Sequence, residues 1–310
     1  MDRTTIRVAV CLDNNYVLPT AVLLNSIGSN KGTERIELYA VSEHPLSDET
    51  RSKLTGECAK YDMSIRFLDY NISQRKELES VRIGRHWSLA AFLKLYLALI
   101  VPESVEKILY LDGDIIVRHS LLDLWNTDIS GVVMAGAMDA NQFGAGVLST
   151  VYYDCRKYYY VNTGVLLLNL KAIREQGTID QFDKFLLEHG QALGYVDQDV
   201  FNNVLFDKKR IISTRYNAQY YSYFKPKYRI DPLEEGNINA LLRDPVVVHY
   251  TESVKPWFAC CAHPFLSDFD KYLRVSCYKG YRKTFERTTY KDVTKFCLIK
   301  LGLFWKFRKL

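Results

Sequence analysis

Asp112 and Asp114 stand one residue apart in the run Ile108-Leu109-Tyr110-Leu111-Asp112-Gly113-Asp114-Ile115-Ile116-Val117. Two carboxylates here interrupt an apolar stretch that otherwise reads as strand, where aspartate is disfavoured. A buried carboxylate without a partner is costly. A divalent cation is the natural partner for two carboxylates that a tight turn aims at one point, and such an ion can in turn hold phosphate oxygens. Asp-Gly-Asp is also good turn chemistry. The spacing alone therefore leaves a metal site and a plain turn both open.

The segment His249-Tyr250-Thr251-Glu252-Ser253-Val254-Lys255-Pro256-Trp257 carries a second group of this kind. A neutral imidazole is a nitrogen ligand, and Lys255 can meet a phosphate as a point charge. A carboxylate pair, an imidazole and phosphate oxygens would complete an octahedral Mn²⁺ or Mg²⁺ sphere. His249 alone would read as a satisfied core histidine; beside Lys-Pro-Trp the ligand reading gains.

Such residues need a scaffold that brings distant segments to one rim. Ile6 to Cys11, Ile36 to Val41 and Ser64 to Leu68 read as strands, with helices expected over Tyr16 to Gly28 and Asp48 to Tyr61. This β-α-β-α-β alternation predicts a mostly parallel central sheet flanked by helices, a Rossmann-like α/β fold. A helix is expected over Leu89 to Ile100 and strands over Ile108 to Leu111, Val132 to Met138, Val161 to Leu170 and Pro245 to Tyr250. A helix is also expected over Ile179 to Glu188, and Asp197 opens another. Sheets of this class bind ligands at the carboxyl ends of their strands. Asp13 and Asn15, Asp112 and Asp114, Asp139, Asn162 and His249 all fall at expected strand ends.

The chain has 310 residues, of which 48% are hydrophobic and 25% charged, the balance of an ordinary globular protein with room for one large domain. Its seven cysteines follow neither a disulfide nor a zinc spacing, which suits free thiols in a reducing compartment. The start of the chain has no signal-peptide layout and no apolar run is long enough to span a bilayer, so a cytoplasmic protein is expected. From Lys279 onward ten Lys or Arg face two acids, a net of +8 that leaves −3 of the chain's +5 to the rest. The expected organisation is a catalytic domain over 1–265 and a basic helical tail over 266–310.

Leu109-Tyr110-Leu111-Asp112-Gly113-Asp114 together with His249…Lys255-Pro256-Trp257 resembles the retaining glycosyltransferases of family eight, which include bacterial lipooligosaccharide galactosyltransferases and glycogenin. Asp13-Asn14-Asn15, Val161-Asn162-Thr163-Gly164-Val165 and Asp197-Gln198-Asp199 fit the same pattern in the same order. The resemblance implies a GT-A fold, a UDP-sugar donor, and Mn²⁺ (with Mg²⁺ as the alternative) held by Asp112, Asp114 and His249. It implies that Asp13 and Asn15 contact the nucleoside and Lys255 the diphosphate, and that Asn162 and Gly164 line the sugar pocket. Asp139, Asp197 and Gln198 would then surround the anomeric carbon, with retention of configuration. The chain departs from the family pattern at Glu252, where glycine is usual, and at Lys94, where many members carry an arginine with its bidentate fork. Lys94 would keep the positive charge on the donor side.

In the tail, Phe296, Ile299, Leu303, Phe307 and Leu310 recur at helical spacing among Lys295, Lys300, Lys306 and Lys309, with Trp305 beside them. That is the pattern of an interfacial helix on an anionic membrane. It would place the protein on the inner face of the plasma membrane, near a saccharide or lipid-linked acceptor of the lipopolysaccharide kind. Gly302 argues instead for a helix packed on the domain. No nucleic-acid module accompanies the basic residues. Acceptor contacts are expected from the loops Asn71 to His86, Gln142 to Tyr160 and Gln219 to Asn239. Two other readings stay in view. One is a nucleotide-sugar-binding module without turnover. The other is a haloacid-dehalogenase-like phosphatase, whose Asp-x-Asp would belong near the start of its domain rather than after three β-α elements.

Overall fold

The first half of the chain builds a sheet from the inside outward. β1 (Thr5–Cys11) takes β2 (Arg35–Ser42) on one side, and β3 (Ser64–Asp69) adds beyond it, all parallel. Helices α1 (Val17–Asn30) and α2 (Asp48–Ala59) make the crossovers. On the other side of β1 lies β4 (Lys107–Leu111), again parallel, and with β6 (Met134–Met138), β7 (Val161–Asn169) and β8 (Lys209–Ile212) the seven-stranded order is β3-β2-β1-β4-β7-β6-β8. The computed structural model describes residues 3–79, 81, 89–224, 232–233, 238–286 and 288–301.

The central strands of this sheet are buried on both faces and carry mostly apolar residues, whereas the edge strand β3 keeps Ser64, Arg66 and Asp69. Ile6, Val8 and Val10 of β1 and Leu109 and Leu111 of β4 enter one core with α1. Ala9, Ile108 and Tyr110 enter the opposite core, covered by Phe92 to Leu97. The period of two thus assigns Tyr110 to the face from which Lys94 approaches.

The sheet differs from a purely parallel one at β7 (Val161–Asn169), which runs antiparallel to both β4 and β6 (Met134–Met138). Asn162 therefore reaches the ligand-facing rim from the amino end of its strand, not from the carboxyl end. β8 (Lys209–Ile212) closes the far edge beside β6. Three short strands form a second sheet in the order β5-β10-β9: Ile115–Val117, Val247–His249 and Ala218–Gln219. Its pairing sets His249 opposite Ile115 on one side and Gln219 on the other. Strands this short carry no readable alternation, and β8 and β9 were not expected from the sequence.

The expected α-helix over Leu89 to Ile100 is a 3₁₀ helix over Leu89–Tyr96 followed by one α-turn over Leu97–Ile100. Phe92, Leu93, Lys94, Leu95 and Tyr96 are all buried, so the segment lacks the solvated face of an amphipathic α-helix. Beyond the sheets, the Leu266–Val275 helix packs Phe269, Tyr272 and Leu273 into a core with Val22, Ile116 and Val248. The last described helix is Tyr290–Lys300. Leu303, Trp305, Lys306, Phe307, Lys309 and Leu310, assigned to the membrane stripe, lie outside the described residues, as do parts of the expected acceptor loops (80, 82–86, 225–231 and 234–237). No helix of the described residues is long and apolar enough to cross a membrane. All seven cysteines are free thiols.

Candidate metal centre and its pocket

The turn after β4 delivers Asp112 and Asp114, and the antiparallel pairing of β10 with β5 delivers His249 beside them. Ligand atoms of Asp112, Asp114 and His249 lie within 4.8 Å of one another. The Nε2 of His249 stands 3.2 Å from Asp114 Oδ1 and 3.7 Å from Asp112 Oδ2. His249 and Asp114 are buried, while the side chain of Asp112 keeps 28% of its exposure and opens the group to solvent. Two carboxylate oxygens and one imidazole nitrogen, open on one side, form a donor set that fits Mn²⁺ or Mg²⁺ with phosphate oxygens completing the sphere.

Cations already surround the carboxylates. Lys255 donates to Asp114 Oδ2 at 2.7 Å and to the Tyr250 carbonyl at 2.7 Å. Burial alone would raise the Asp114 pKa, but the Lys255 ammonium opposes it and this carboxyl is held well below the usual range. Asp112 accepts from the Tyr110 hydroxyl at 2.6 Å and from Lys94 at 3.0 Å. Lys94 also reaches Asp197 Oδ2 at 3.1 Å and lies 4.6 Å from the Tyr110 ring centroid. Burial disfavours its charge, yet Asp112 and Asp197 more than compensate and raise its pKa. Lys94 is thus a buried strut between Asp112 and the next layer of the site, and its charge acts through Asp112 and Asp197.

That layer is a polar triangle. Asp139 Oδ2 accepts from Asn162 Nδ2 and Gln198 Nε2, each at 3.1 Å. Gln198 Oε1 accepts from Asn162 Nδ2 and the Thr163 amide, also at 3.1 Å. Asp197 accepts from Thr163 Oγ1 at 2.8 Å. Burial raises the Asp197 pKa, with Lys94 opposing. Gly164 lies against the metal trio: a Cβ there would overlap the His249 ring and come within 2.9 Å of Asp112 Oδ2.

Asp197 and Gln198 open the Asp197–Val204 helix, directly after a strained residue. Val196 has φ +51° and ψ −119°, a region β-branched residues avoid at a cost of about 1–3 kcal/mol. Asp199 holds the turn. Its Oδ2 accepts from the Gly194 and Tyr195 amides at 2.7 and 2.8 Å, and its Oδ1 accepts from Thr150 and Tyr160 hydroxyls.

The structure therefore joins Asp112, Asp114, His249, Lys255, Lys94, Asp197, Gln198, Asp139, Asn162 and Gly164 in one connected site. Asp13 and Asn15 stand apart from that network, on the turn after β1, where Asp13 Oδ1 accepts the Asn15 amide at 2.8 Å. Tyr16 of the same turn stacks edge-on against Trp257, with centroids 5.7 Å apart, which ties that turn to the Lys255-Pro256-Trp257 segment. Glu252 is half-buried on the loop that follows His249. Sequence reasoning missed Tyr110, Thr163 and Asn217. The last is fully buried and contacts His249 Nδ1 at 3.0 Å and Asn162 Oδ1 at 2.9 Å. The Tyr152 to Tyr160 cluster packs largely on other rings, Tyr153 against Phe206 and Tyr152 against Phe185 and His189.

Comparison with known proteins agrees with this geometry. The family described as Glycosyl transferase family 8 matches residues 7–261. General stress protein A of Bacillus subtilis is 27% identical over 267 residues, covering 85% of this chain and 91% of its own. A lipopolysaccharide 1,2-glucosyltransferase of Escherichia coli is 23% identical over 305 residues, covering 96% and 87%. Among solved structures, the galactosyltransferase LgtC in complex with donor and acceptor sugar analogs superposes with a TM-score of 0.76 at 23% identity. That match covers 89% of this chain and 100% of the other, and the fold is the same GT-A α/β fold.

Proposed function

This chain belongs to glycosyl transferase family 8, and from that premise we propose a metal-dependent, retaining hexosyltransferase that moves a hexose from a UDP-sugar to a saccharide or glycolipid acceptor. The observation that carries the reading is the meeting of Asp112, Asp114 and His249, remote in sequence, within 4.8 Å. These three would hold Mn²⁺ or Mg²⁺. When bound, that ion supplies Lewis-acid neutralisation of charge on a departing diphosphate. Lys255, already at the rim of the centre, adds a positive charge to the same end of the donor. Asp13 and Asn15 would meet the nucleoside, and Asn162 and Gly164 the sugar.

The engaged state of the inner carboxylate and amide supports a front-face route. Asp197 Oδ2 is shared by Lys94 and Thr163, and the Gln198 carbonyl takes two N–H donors. Both of those oxygens are already engaged, whereas a double displacement needs a free one, and the Gln198 amide is a poor covalent nucleophile in any case. In the route that suits them, the sugar–phosphate C–O bond breaks as the acceptor oxygen bonds the same carbon from the same face. The acceptor's proton passes to a leaving phosphate oxygen. Asp139, Asp197 and Gln198 would place negative charge and dipoles around the cationic sugar.

Relatives named as lipopolysaccharide glycosyltransferases support an acceptor in cell-surface glycan synthesis. The basic tail suits attachment to the anionic inner face of the plasma membrane. Lys295 is an exception within it, because its amine lies 4.5 Å from the Tyr220 ring centroid and faces the body of the protein. Incubation with a panel of UDP-sugars and Mn²⁺ tests the activity: slow UDP release that EDTA abolishes is expected. Donor binding without hydrolysis or transfer would leave only a binding module, and phosphate release from simple esters would indicate a phosphatase.

A further inference from the structure

We propose that Asn217 is a positioning residue that fixes His249 as its Nδ1–H tautomer and links the metal centre to the sugar pocket. The inference rests on the metal reading above, and it follows from one backbone amide. The Gly164 N–H can only donate, and it donates to Asn162 Oδ1 at 3.1 Å. The other end of that amide, Nδ2, faces Asp139 Oδ2 and Gln198 Oε1, both acceptors. Asn162 therefore cannot be turned round. The Asn217 atom 2.9 Å from Asn162 Oδ1 must then be its nitrogen, which leaves Asn217 Oδ1 facing His249 Nδ1 at 3.0 Å.

An oxygen acceptor at that distance requires the proton on Nδ1. A neutral imidazole has one such proton, so Nε2 presents a bare lone pair to Asp114 Oδ1 and Asp112 Oδ2, 3.2 and 3.7 Å away. Three electron-rich atoms face one another, an arrangement that a cation between them relieves. The tautomer lets the imidazole accept an ion without first expelling a proton, and the second hydrogen bond fixes the plane of the ring. Asn217 is itself held: it is fully buried, its amide donates to the Thr214 carbonyl at 3.0 Å, and it leads into β9 beside β10. His263 supplies an internal contrast. There the Phe265 amide donates into Nδ1 at 3.2 Å, which leaves the proton on Nε2.

The test is spectroscopic first. In metal-free protein with ¹⁵N-labelled imidazoles, at a pH where the rings are neutral, long-range ¹H–¹⁵N correlations should show His249 protonated on Nδ1 and His263 on Nε2. His249→Gln identifies the signals. Asn217→Leu, close in size but without the amide, should move the His249 proton to Nε2 and weaken Mn²⁺ binding about 10–100-fold by calorimetry. Asn217→Asp keeps an acceptor for Nδ1 and should restore the Nδ1–H tautomer, but its second oxygen would face the acceptor Asn162 Oδ1, so Mn²⁺ affinity should return only in part. An unaltered protein with His249 protonated on Nε2 would overturn the inference without any variant having to fold. So would a Leu variant that keeps both tautomer and affinity. Failure of the unaltered protein to bind Mn²⁺ would instead defeat the metal reading and leave the tautomer assignment standing.

Discussion

A methyl group added at Gly164 would fall inside the His249 imidazole and crowd Asp112 Oδ2 at 2.9 Å, so the proposed metal centre depends on glycine here as much as on its three candidate ligands. Gly164→Ala should cost about 1–3 kcal/mol of stability and abolish measurable Mn²⁺ binding by calorimetry, because ring or strand must shift. Retained Mn²⁺ affinity in that variant would mean the imidazole does not serve as a ligand. At this scale the sequence was readable where a residue type clashed with its setting. Two aspartates inside a strand-like run, and a histidine beside Lys-Pro-Trp, ask for a partner. Asn217 and Thr163 ask for nothing in sequence, since both are ordinary loop and strand residues. Their roles arise only when β9 pairs with β10 and when Asp197 comes to rest under β7.

The start of the Asp197–Val204 helix shows how an element aims side chains at a cost. Val196 sits at positive φ, and Asp199 binds the Gly194 and Tyr195 amides, so that Asp197 and Gln198 meet Thr163 and Asn162. Asp199→Ala should destabilise the protein by roughly 1–3 kcal/mol, since two backbone N–H groups and two buried hydroxyls lose their shared acceptor. It should also lower kcat more than it changes donor KM, and Asp199→Asn should recover most of both. A loss of stability with unchanged kcat would show that the turn's strain is unrelated to the chemistry. Apolar runs located β1, β2, β4 and β7, but a run carries no strand direction, so the antiparallel entry of Asn162 was hidden. Five consecutive buried residues, Phe92 to Tyr96, likewise defeat the face pattern by which an α-helix is told from a 3₁₀ helix.

At the scale of the molecule, the site draws on two sheets and on residues from Lys94 to Lys255, so its integrity reports on most of the matched span. The α/β class was legible because it depends on alternation repeated over many residues. The second sheet was not, because it depends on contacts between strands of two or three residues. Stability of the whole should carry a mark of His263. Burial among Tyr220, Tyr223, Tyr250 and Phe265 lowers its pKa from 6.5 to about 3. Between those values the unfolded chain binds a proton that the folded protein refuses. Stability from this group is therefore full above pH 6.5 and falls as pH drops toward 3. Denaturant titrations of His263→Phe should lack about 2 kcal/mol of the loss seen between roughly pH 7.5 and 5; an identical acid slope in the variant would mean His263 protonates freely in the fold. The claim on which the function depends is tested most directly by anomalous diffraction at the manganese edge, from crystals grown with Mn²⁺ and UDP. One peak in contact with Asp112, Asp114 and His249 Nε2 is expected. A fully occupied Mn²⁺ found away from the imidazole would contradict it.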